Sequence, residues 1–226
     1  IPEIFANVML QTKKLPCKRV IIVQNSNNVT EFMPVSQTLD NLNITDAIVT
    51  TKVQESKIKD YFPTVRTHIV SPSIKKVFRN NDAPRKLIVN IISKEQSDLN
   101  RIVKPFYWKN PIYKWVSFRD LRGLSQEAFA EALREAAITI WIDDKTSFGY
   151  SLLEALRCGS LVIAKVPDEL SDWMTEDNKL TESVLWFENL DDAPQMIASA
   201  VRSWTLDDIP ADVYEYQSKM DNLYSE

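Results

Sequence analysis

The chain alternates between short runs of β-branched and aliphatic residues and longer stretches in which apolar residues recur every three or four positions. The short runs predict strands over residues 19–23, 46–50, 68–70, 86–92, 113–118, 138–142, 161–164 and 183–187. The periodic stretches predict helices over residues 3–12, 53–61, 126–137, 151–158 and 192–204. Strands that alternate with helices are typical of α/β proteins, so we expect a parallel sheet with helices on both faces and right-handed crossovers.

A polar, turn-rich segment over residues 80–84 divides this pattern into two parts. The segment precedes a strong predicted strand and is the best candidate for a domain boundary. We therefore expect residues 1–80 and residues 81–205 to belong to two different α/β domains.

The tail, residues 206–226, has the signals of a helix start. Asp207 and Asp208 are candidate caps, and Pro210 suits the first turn of a helix. The N–H groups of that turn make no hydrogen bond within the helix, so a proline costs none there. A last helix is therefore predicted over residues 211–224.

The composition is that of an ordinary soluble globular protein. The 226 residues are 44% hydrophobic and 26% charged, enough for one large core or two small ones. Lys and Arg total 27 against 31 Asp and Glu, and this mild acidity without a dense basic patch argues against a nucleic-acid binder. No apolar run approaches the roughly 20 residues of a membrane span, so we expect membrane contact to be peripheral at most.

The two cysteines, Cys17 and Cys158, lie far apart in the sequence and give no support for a disulfide. A reducing cytoplasmic location is therefore expected. Because the chain begins at Ile1 and shows no signal core there, we expect it to be a fragment of a longer protein.

The segment over residues 145–164 is the most informative part of the chain. Gly149 breaks the pattern after a predicted strand, a short helix follows, and Gly159 supplies a stop before the next strand. The amino terminus of this helix then lies at the carboxyl end of the strand over residues 138–142. Its backbone N–H groups and its dipole favour an anion such as a phosphate.

The chain contains 3 glycines, and none of them belongs to a glycine-rich phosphate motif. Both the G-x-G-x-x-G dinucleotide fingerprint and the phosphate loop of P-loop proteins are missing from the sequence. Two large classes of nucleotide-binding protein are therefore excluded.

The same segment carries a family resemblance. Its distinctive pieces are Phe148-Gly149, Leu153-Glu154-Ala155-Leu156, Cys158-Gly159 and Val162-Ile163. Together they resemble the donor-sugar motif of GT-B glycosyltransferases, in particular the family-4-like group. The resemblance implies a Rossmann-like, nucleotide-sugar-binding domain over residues 81–205. Residues 1–80 are then the remnant of the acceptor-side domain, and residues 206–226 form a helix that packs back on that first domain.

The resemblance also implies roles for individual residues. In this family two glutamates eight positions apart flank the Phe-Gly turn, and the second binds the ribose of the sugar donor. Glu154 matches the second glutamate, whereas Thr146 stands at the first position. Phe148 and Tyr150 flank the turn, and their alternative role is packing in the core.

Two features of the turn and helix start have alternative explanations. The backbone N–H groups over residues 149–152, including that of Ser151, are expected to approach the diphosphate. The alternative is that Gly149 is a simple turn glycine. Ser151 and Glu154 have the spacing of a capping box, which would give Glu154 a purely structural role.

Two cations are candidates for neutralising the diphosphate. Many GT-B enzymes place an Arg and a Lys in the loop after the first donor-domain strand, where this chain has Lys94 alone, with Asp98 or Leu99 at the second position. Arg119, after the next strand, is the other candidate. The alternatives are a solvated lysine at Lys94 and a surface ion pair of Arg119 with Asp120 or another acid.

Other chemistry-bearing residues have weaker support. Asp143 and Asp144 follow a strand as a carboxylate pair, which suits a metal or acid/base work, but because GT-B enzymes commonly act without a metal we assign none. The lone His68 is expected to be packed in a strand. Trp173 is a candidate for stacking on a sugar, with packing as its default role.

The resemblance implies a hexosyltransferase of class EC 2.4 that takes a sugar from a nucleotide diphosphate sugar. That donor is a substrate, no cofactor is expected, and the acceptor is an unidentified glycan, lipid or protein. Thr146 and the incomplete basic pair keep a second interpretation open, a non-catalytic glycosyltransferase-like module that binds a ligand or a partner. A third is an unrelated flavodoxin-like α/β domain that binds another anion at the same helix end.

Overall fold

The computed structural model describes residues 1–175 and 182–205. Their contacts form two compact units. The first contains Ile1–Pro72 together with two later segments, Thr146–Phe148 and Glu169–Thr175, and the second contains the rest. The chain changes unit between Pro72 and Ser73, earlier than the predicted boundary. The tail helix predicted over residues 211–224 lies outside the described residues.

The first unit is a small α/β layer. Its strands β1 (Val20–Val23), β2 (Asp46–Val49) and β3 (Arg66–Ile69) form a parallel sheet in the order β1-β2-β3. Its helices are α1 (Ala6–Gln11), α2 (Ser26–Phe32) and α3 (Lys52–Tyr61). Its core consists of buried apolar residues from the strands, the helices and the connections between them, namely Met9, Ile21, Val23, Val29, Leu39, Leu42, Ile44, Ala47, Val49, Ile58 and Val65.

The second unit is a five-stranded parallel sheet with the strand order β5-β4-β6-β7-β8. The strands are β4 (Lys86–Ser93), β5 (Ser117–Asp120), β6 (Ala136–Ile142), β7 (Leu161–Lys165) and β8 (Val184–Phe187). The helices are α4 (Gln96–Lys109), α5 (Gln126–Glu135), α6 (Tyr150–Arg157) and α7 (Ala193–Thr205). All seven residues of β6 are buried, as is usual for a strand covered on both faces.

The strand order creates a switch point between β4 and β6. From β4 the chain crosses to β5 on one side, and it then returns to β6 on the other side. Ligands of open parallel sheets bind at the carboxyl ends of the strands beside such a point. The fold therefore directs attention to the ends of β4 and β6, near Ser93 and Ile142.

The predicted α/β class is confirmed, while several element bounds are wrong. Helix α5 ends at Glu135 and β6 begins at the next residue, whereas the helix was predicted to reach residue 137. The strand predicted over residues 113–118 is β5, and a short 3-10 turn, Pro111–Tyr113, precedes it. Helices α2 and α4 were not predicted, because α2 is polar and α4 contains Pro105, a residue that usually ends a helix.

His68 is not packed in the core as predicted. About half of its side chain is exposed, and its Nε2 lies 2.9 Å from Oδ1 of Asp46. Asp46 is itself buried and also binds Arg66 and Lys18. The hydrogen bond from His68, followed by those from Thr45 and the two cations, holds the pKa of Asp46 well below its usual range.

Among the described residues, no helix is both long enough and apolar enough to cross a bilayer.

Candidate functional site

The connection between β6 and α6 forms a tight turn at Gly149. This residue has φ 80° and ψ 40°, the left-handed conformation that favours glycine, and it is the N-cap of α6. The carbonyl oxygen of Gly149 accepts hydrogen bonds from the N–H groups of Leu152 (3.1 Å) and Leu153 (3.2 Å). Glycine has no side chain with which to cap a helix, and α6 begins without a side-chain cap hydrogen bond.

The capping-box explanation of Glu154 is wrong. Helix α6 begins at Tyr150, so Ser151 is its second residue and not its cap. The hydroxyl Oγ of Ser151 instead accepts a hydrogen bond from Nε1 of the buried Trp141 at 2.9 Å. Glu154 is then one full turn inside the helix, where no cap needs its carboxylate.

Glu154 has a carboxyl group in a setting that disfavours its charge. Burial raises its pKa to about 7, and the opposing influence of the Lys75 ammonium is smaller. Among the described residues, no hydrogen bond reaches its side-chain oxygens. Burial, and then the charge of Glu154, also raise the pKa of Tyr150. The carboxylate is available to accept hydrogen bonds from a ligand, such as those of neighbouring hydroxyl groups.

Ser147 and Phe148 precede the turn and are both buried. Within the described residues the hydroxyl of Ser147 has no hydrogen-bond partner, which is unusual for a buried polar atom and is met when a ligand supplies one. The carbonyl oxygen of Phe148 accepts a hydrogen bond from Nε1 of Trp173 at 2.6 Å. Since Trp173 is itself 2% exposed, its role is packing, and the sugar-stacking candidate is wrong.

A pocket of about 160 Å³ lies at the carboxyl ends of β4 and β6, at the switch point. Its lining consists of Ile142 and seven polar or charged residues, Ser93, Lys94, Glu95, Asp98, Asp143, Asp144 and Lys145. On its rim, Nζ of Lys94 lies 2.9 Å from Oδ1 of Asp143, and Nζ of Lys165 lies 2.5 Å from Oδ1 of Asp144. Each aspartate thus has its own lysine, and the described residues contain no cluster of metal-ligating side chains.

Comparison with known proteins identifies the architecture. No family model matches the chain. A curated relative, the alpha-1,6-glucosyltransferase of Actinobacillus pleuropneumoniae serotype 7 (strain AP76), is 26% identical over 143 residues, which cover 57% of this chain and 43% of that protein.

Solved structures of glycosyltransferases superimpose on nearly the whole chain. TarM matches with a TM-score of 0.62 and 14% identity over 93% of this chain and 48% of its own. WaaG, a glycosyltransferase involved in lipopolysaccharide biosynthesis, matches with a TM-score of 0.59 and 12% identity over 96% of this chain and 78% of its own. This chain has the GT-B fold. The predicted resemblance is thereby confirmed for the architecture.

The pneumococcal O-GlcNAc transferase GtfA shares this GT-B architecture. Its structure, which contains UDP and GlcNAc, matches with a TM-score of 0.57 and 12% identity over 96% of this chain and 56% of its own. The chain therefore spans about half the length of the curated relative, of TarM and of GtfA.

The two predicted cations of this GT-B chain lie at opposite ends of the second sheet. Lys94 is exposed on the rim of the pocket at the carboxyl ends of the strands. Arg119 forms an ion pair of 2.8 Å with Glu135, the residue before β6, and Glu135 also binds Lys86 at the start of β4. The Arg119 guanidinium is thus held toward the amino ends of the strands. The alternative of a surface ion pair applies to Arg119, with Glu135 as its partner, while Asp120 binds Arg122.

The structure brings together part of the predicted set. Gly149, Tyr150, Ser151 and Glu154 share the turn and the first half of α6, and Lys94 lies at the neighbouring strand end. Thr146 and Phe148 cluster with the first unit, and the roles predicted for all these residues stay predictions. Sequence reasoning missed Lys75 and Ser147. The charge of Lys75 acts on Glu154 because the 3-10 turn Lys76–Phe78 packs on α6, which no local pattern signals.

Proposed function

We propose that this chain contributes the donor-binding half of a glycosyltransferase that transfers a hexose from a nucleotide diphosphate sugar to an acceptor. The observation that carries the proposal is the left-handed Gly149 turn, which opens α6 ahead of the partly buried Glu154 in a GT-B fold. The curated relative, an alpha-1,6-glucosyltransferase, supports a hexose, and the UDP in the structure of GtfA supports a nucleotide diphosphate.

The leaving diphosphate is stabilised by the start of α6 in this proposal. The amino-terminal turn of α6 and the helix dipole act on negative charge that grows as the glycosidic bond to the phosphate breaks. Both are preorganised, because the turn at Gly149 already holds the start of α6 in place before the donor binds. Lys94 adds a positive charge by leaving its exposed pair with Asp143, which is a weak interaction at the surface.

Glu154 holds the ribose in this proposal. An ionised carboxylate accepts hydrogen bonds from two neighbouring hydroxyl groups, whereas a protonated one has lost part of that capacity. Because burial raises the pKa of Glu154 to about 7, we expect the affinity for the nucleotide to fall as the pH decreases through 7.

A non-catalytic binding module is the second candidate function. It is favoured by Thr146, which stands where the family has its first glutamate, and by Arg119, whose guanidinium is paired with Glu135 at the other end of the sheet. For the transferase, we propose that the acceptor is a glycan, a lipid or a protein. For the binding module, a second protein chain is a candidate binding partner, since one solved structure with this fold is the GtfA/B complex.

Isothermal titration calorimetry of the chain with UDP, GDP, ADP and TDP tests the proposal. We expect one of them to bind saturably to the wild type and at least roughly tenfold more weakly to Glu154→Gln, because the variant cannot present a carboxylate. Glu131→Gln is the matched control, since Glu131 is an exposed glutamate on α5. Absence of saturable binding for all four nucleotides contradicts the proposal.

Turnover distinguishes the two candidate functions. The nucleotide that binds is offered as its diphospho-hexose, and release of free nucleoside diphosphate is measured with and without glycan acceptors. Release that depends on Lys94 and Glu154 supports a transferase. Tight binding without any release, in a chain extended to the length of its relatives, favours the binding module.

A further inference from the structure

The end of α4 and the connection to β5 carry a patch of exposed large apolar side chains. Trp108 is 75% exposed, Ile112 is 74% exposed and Trp115 is 57% exposed. Single exposed apolar residues are common, but two tryptophans and an isoleucine within one short connection are not. We call these three residues together with Lys104, Lys109 and Lys114 the tryptophan-lysine surface.

The exposure of the three apolar residues is built into the structure. Beneath them, the ring of Phe106 stacks on Tyr113 with centroids 6.2 Å apart, and it meets Phe118 edge-on at 5.1 Å. The hydroxyl of Tyr107 donates a hydrogen bond of 2.6 Å to the carbonyl oxygen of Val116. These buried contacts use the inward-facing residues of the connection, so the tryptophans are held outward on a firm base.

The charge around this patch is one-sided. Residues 99–119 contain five cations, Arg101, Lys104, Lys109, Lys114 and Arg119, and no acidic residue, although the whole chain has a net charge of −4. The three lysines are exposed. Acidic residues near α4 lie at its other end, where Asp98 is in its first turn and the 3-10 turn Leu190–Asp192 packs against it. The last turn of the neighbouring α7 adds Arg202.

The surface also has a defined place in the fold. Helix α4 runs from the carboxyl end of β4 back to the amino ends of the strands, and β5 is an edge strand. The tryptophan-lysine surface therefore lies at the opposite end of the second sheet from the pocket beside Lys94. An occupant of this surface leaves that pocket open.

We propose that the tryptophan-lysine surface docks the chain on an anionic phospholipid bilayer. Tryptophan rings favour the headgroup region, where they are apolar on their faces and polar at the indole N–H. Flexible lysines keep their charge in water beside anionic headgroups while their stems lie on apolar surface. A protein partner fits less well, because protein interfaces are enriched in arginine and depleted in lysine, and the three cations of the tryptophan-lysine surface are lysines.

Vesicle sedimentation tests the proposal. The full chain is mixed with vesicles of one part phosphatidylglycerol to two parts phosphatidylcholine, and with vesicles of phosphatidylcholine alone. We expect binding to the anionic vesicles with a blue shift of the tryptophan fluorescence, and weaker binding as salt is added, because salt screens the lysines. Equal binding to both kinds of vesicle, or to neither, overturns the proposal.

Two sets of substitutions assign the binding to this surface. Trp108→Ser with Trp115→Ser is expected to lower the partition coefficient about tenfold or more, since it removes the groups that enter the headgroup region. Lys104→Gln with Lys109→Gln and Lys114→Gln is expected to lower it about fivefold for each lysine. The matched control, Lys13→Gln with Lys14→Gln and Lys76→Gln, removes the same charge from exposed lysines elsewhere and leaves binding within about twofold.

Two further outcomes also decide against the bilayer. If both sets of substitutions leave vesicle binding unchanged while circular dichroism shows folded protein, another surface binds the lipid. If sedimentation velocity shows a dimer that the tryptophan substitutions dissociate, the surface is an interface between two copies of the chain.

Discussion

Glu154 is a residue whose burial works against its charge. It lies on α6 four residues after Tyr150, and burial raises its pKa to about 7. A sequence pattern suggested a capping role for it, but the helix begins two residues too early for that role. Glu154 therefore has no capping role in α6, and its carboxylate can accept hydrogen bonds from a ligand.

Replacing Glu154 by Gln is expected to stabilise the folded chain at high pH. Between the ordinary glutamate value and about 7, the folded chain holds a proton that the unfolded chain releases, so the free energy of unfolding falls as the pH rises through this range. Glutamine does not ionise and removes this loss. We expect Glu154→Gln to be about 2 kcal/mol more stable than the wild type at pH 8, and close to it near pH 4.5.

Urea denaturation at a series of pH values checks this expectation. The wild type should lose stability between pH 5 and pH 8 relative to the variant. Glu131→Gln, on the exposed face of α5, should follow the wild type. Parallel curves for the wild type and Glu154→Gln would show that the carboxyl group titrates normally.

At the scale of secondary-structure elements, the site depends on how α6 begins. A left-handed residue allows the chain to turn from the end of the buried β6 segment into the helix, and glycine adopts that conformation without strain. The chain has a second left-handed glycine in the turn before α5, Gly123, where the space around an added Cβ atom is empty. Gly149 and Gly123 therefore place the same conformational demand on the backbone, but they precede different helices.

We expect Gly149→Ala to lower the free energy of unfolding by about 1 to 2 kcal/mol, because an L-residue is strained at this φ. The same change should weaken nucleotide binding about tenfold, since small displacements of the N–H groups at the start of α6 matter for a bound anion. Chemical denaturation and calorimetric titration measure the two effects.

Gly123→Ala separates strain from ligand binding. With φ of 72° it should show a similar loss of stability, whereas nucleotide affinity should not change. If Gly149→Ala and Gly123→Ala affect affinity equally, the turn at Gly149 has no special part in binding.

Helix α4 shows why some elements escape a search for patterns. Pro105 lies inside it, and a proline has no N–H group to donate to the preceding turn, which argues for a helix end in any sequence-based prediction. Packing against β4 and α7 nevertheless holds the helix together, because Ile102 and Phe106 are buried in the core of the second unit.

Pro105→Ala is therefore expected to stabilise the chain by about 2 kcal/mol. The helix gains a hydrogen bond and loses a steric clash, which outweighs the greater freedom of the unfolded chain. Thermal and urea denaturation both report this gain. Pro111→Ala is the control, because Pro111 is the first residue of a 3-10 turn, where proline is tolerated, and it should change the stability by less than about 1 kcal/mol.

At the scale of the whole molecule, each of the two units has a hydrophobic core of its own. The core of the first unit includes Ile21 on β1, and the core of the second includes Ile140 on β6, and both residues are fully buried. Each core belongs to its own parallel sheet. The chain passes from one unit to the other more than once, since Thr146–Phe148 and Glu169–Thr175 cluster with the first unit.

The separation of the cores predicts additive losses of stability. Ile21→Ala and Ile140→Ala should each lower the free energy of unfolding by about 3 kcal/mol, through lost apolar contact and a remaining cavity. The double variant should lose the sum to within about 0.5 kcal/mol, because the two residues share no packing partner. Chemical denaturation of the four proteins measures this, and a coupling above about 1 kcal/mol would show that the cores act as one.

The sequence by itself determined the α/β class, most strands and the turn-helix-strand unit around Gly149. The signals for these features are local: the alternation of strand and helix patterns, short apolar runs and the positions of glycines. The GT-B resemblance rested on the same segment. Only the tertiary structure decided which charges face the pocket, since ion pairs such as Arg119 with Glu135 join residues from different elements.

Burial was likewise a tertiary outcome. Which elements pack over a side chain decides three features of this chain. These are the raised pKa of Glu154, the buried hydroxyl of Ser147 without a partner among the described residues, and the exposure of Trp108 and Trp115. A residue type and its neighbours in the sequence do not contain that information. Local propensity therefore determined the helices and strands. The packing of segments distant in the sequence determined which side chains at their ends and surfaces are buried, charged or free to bind a ligand.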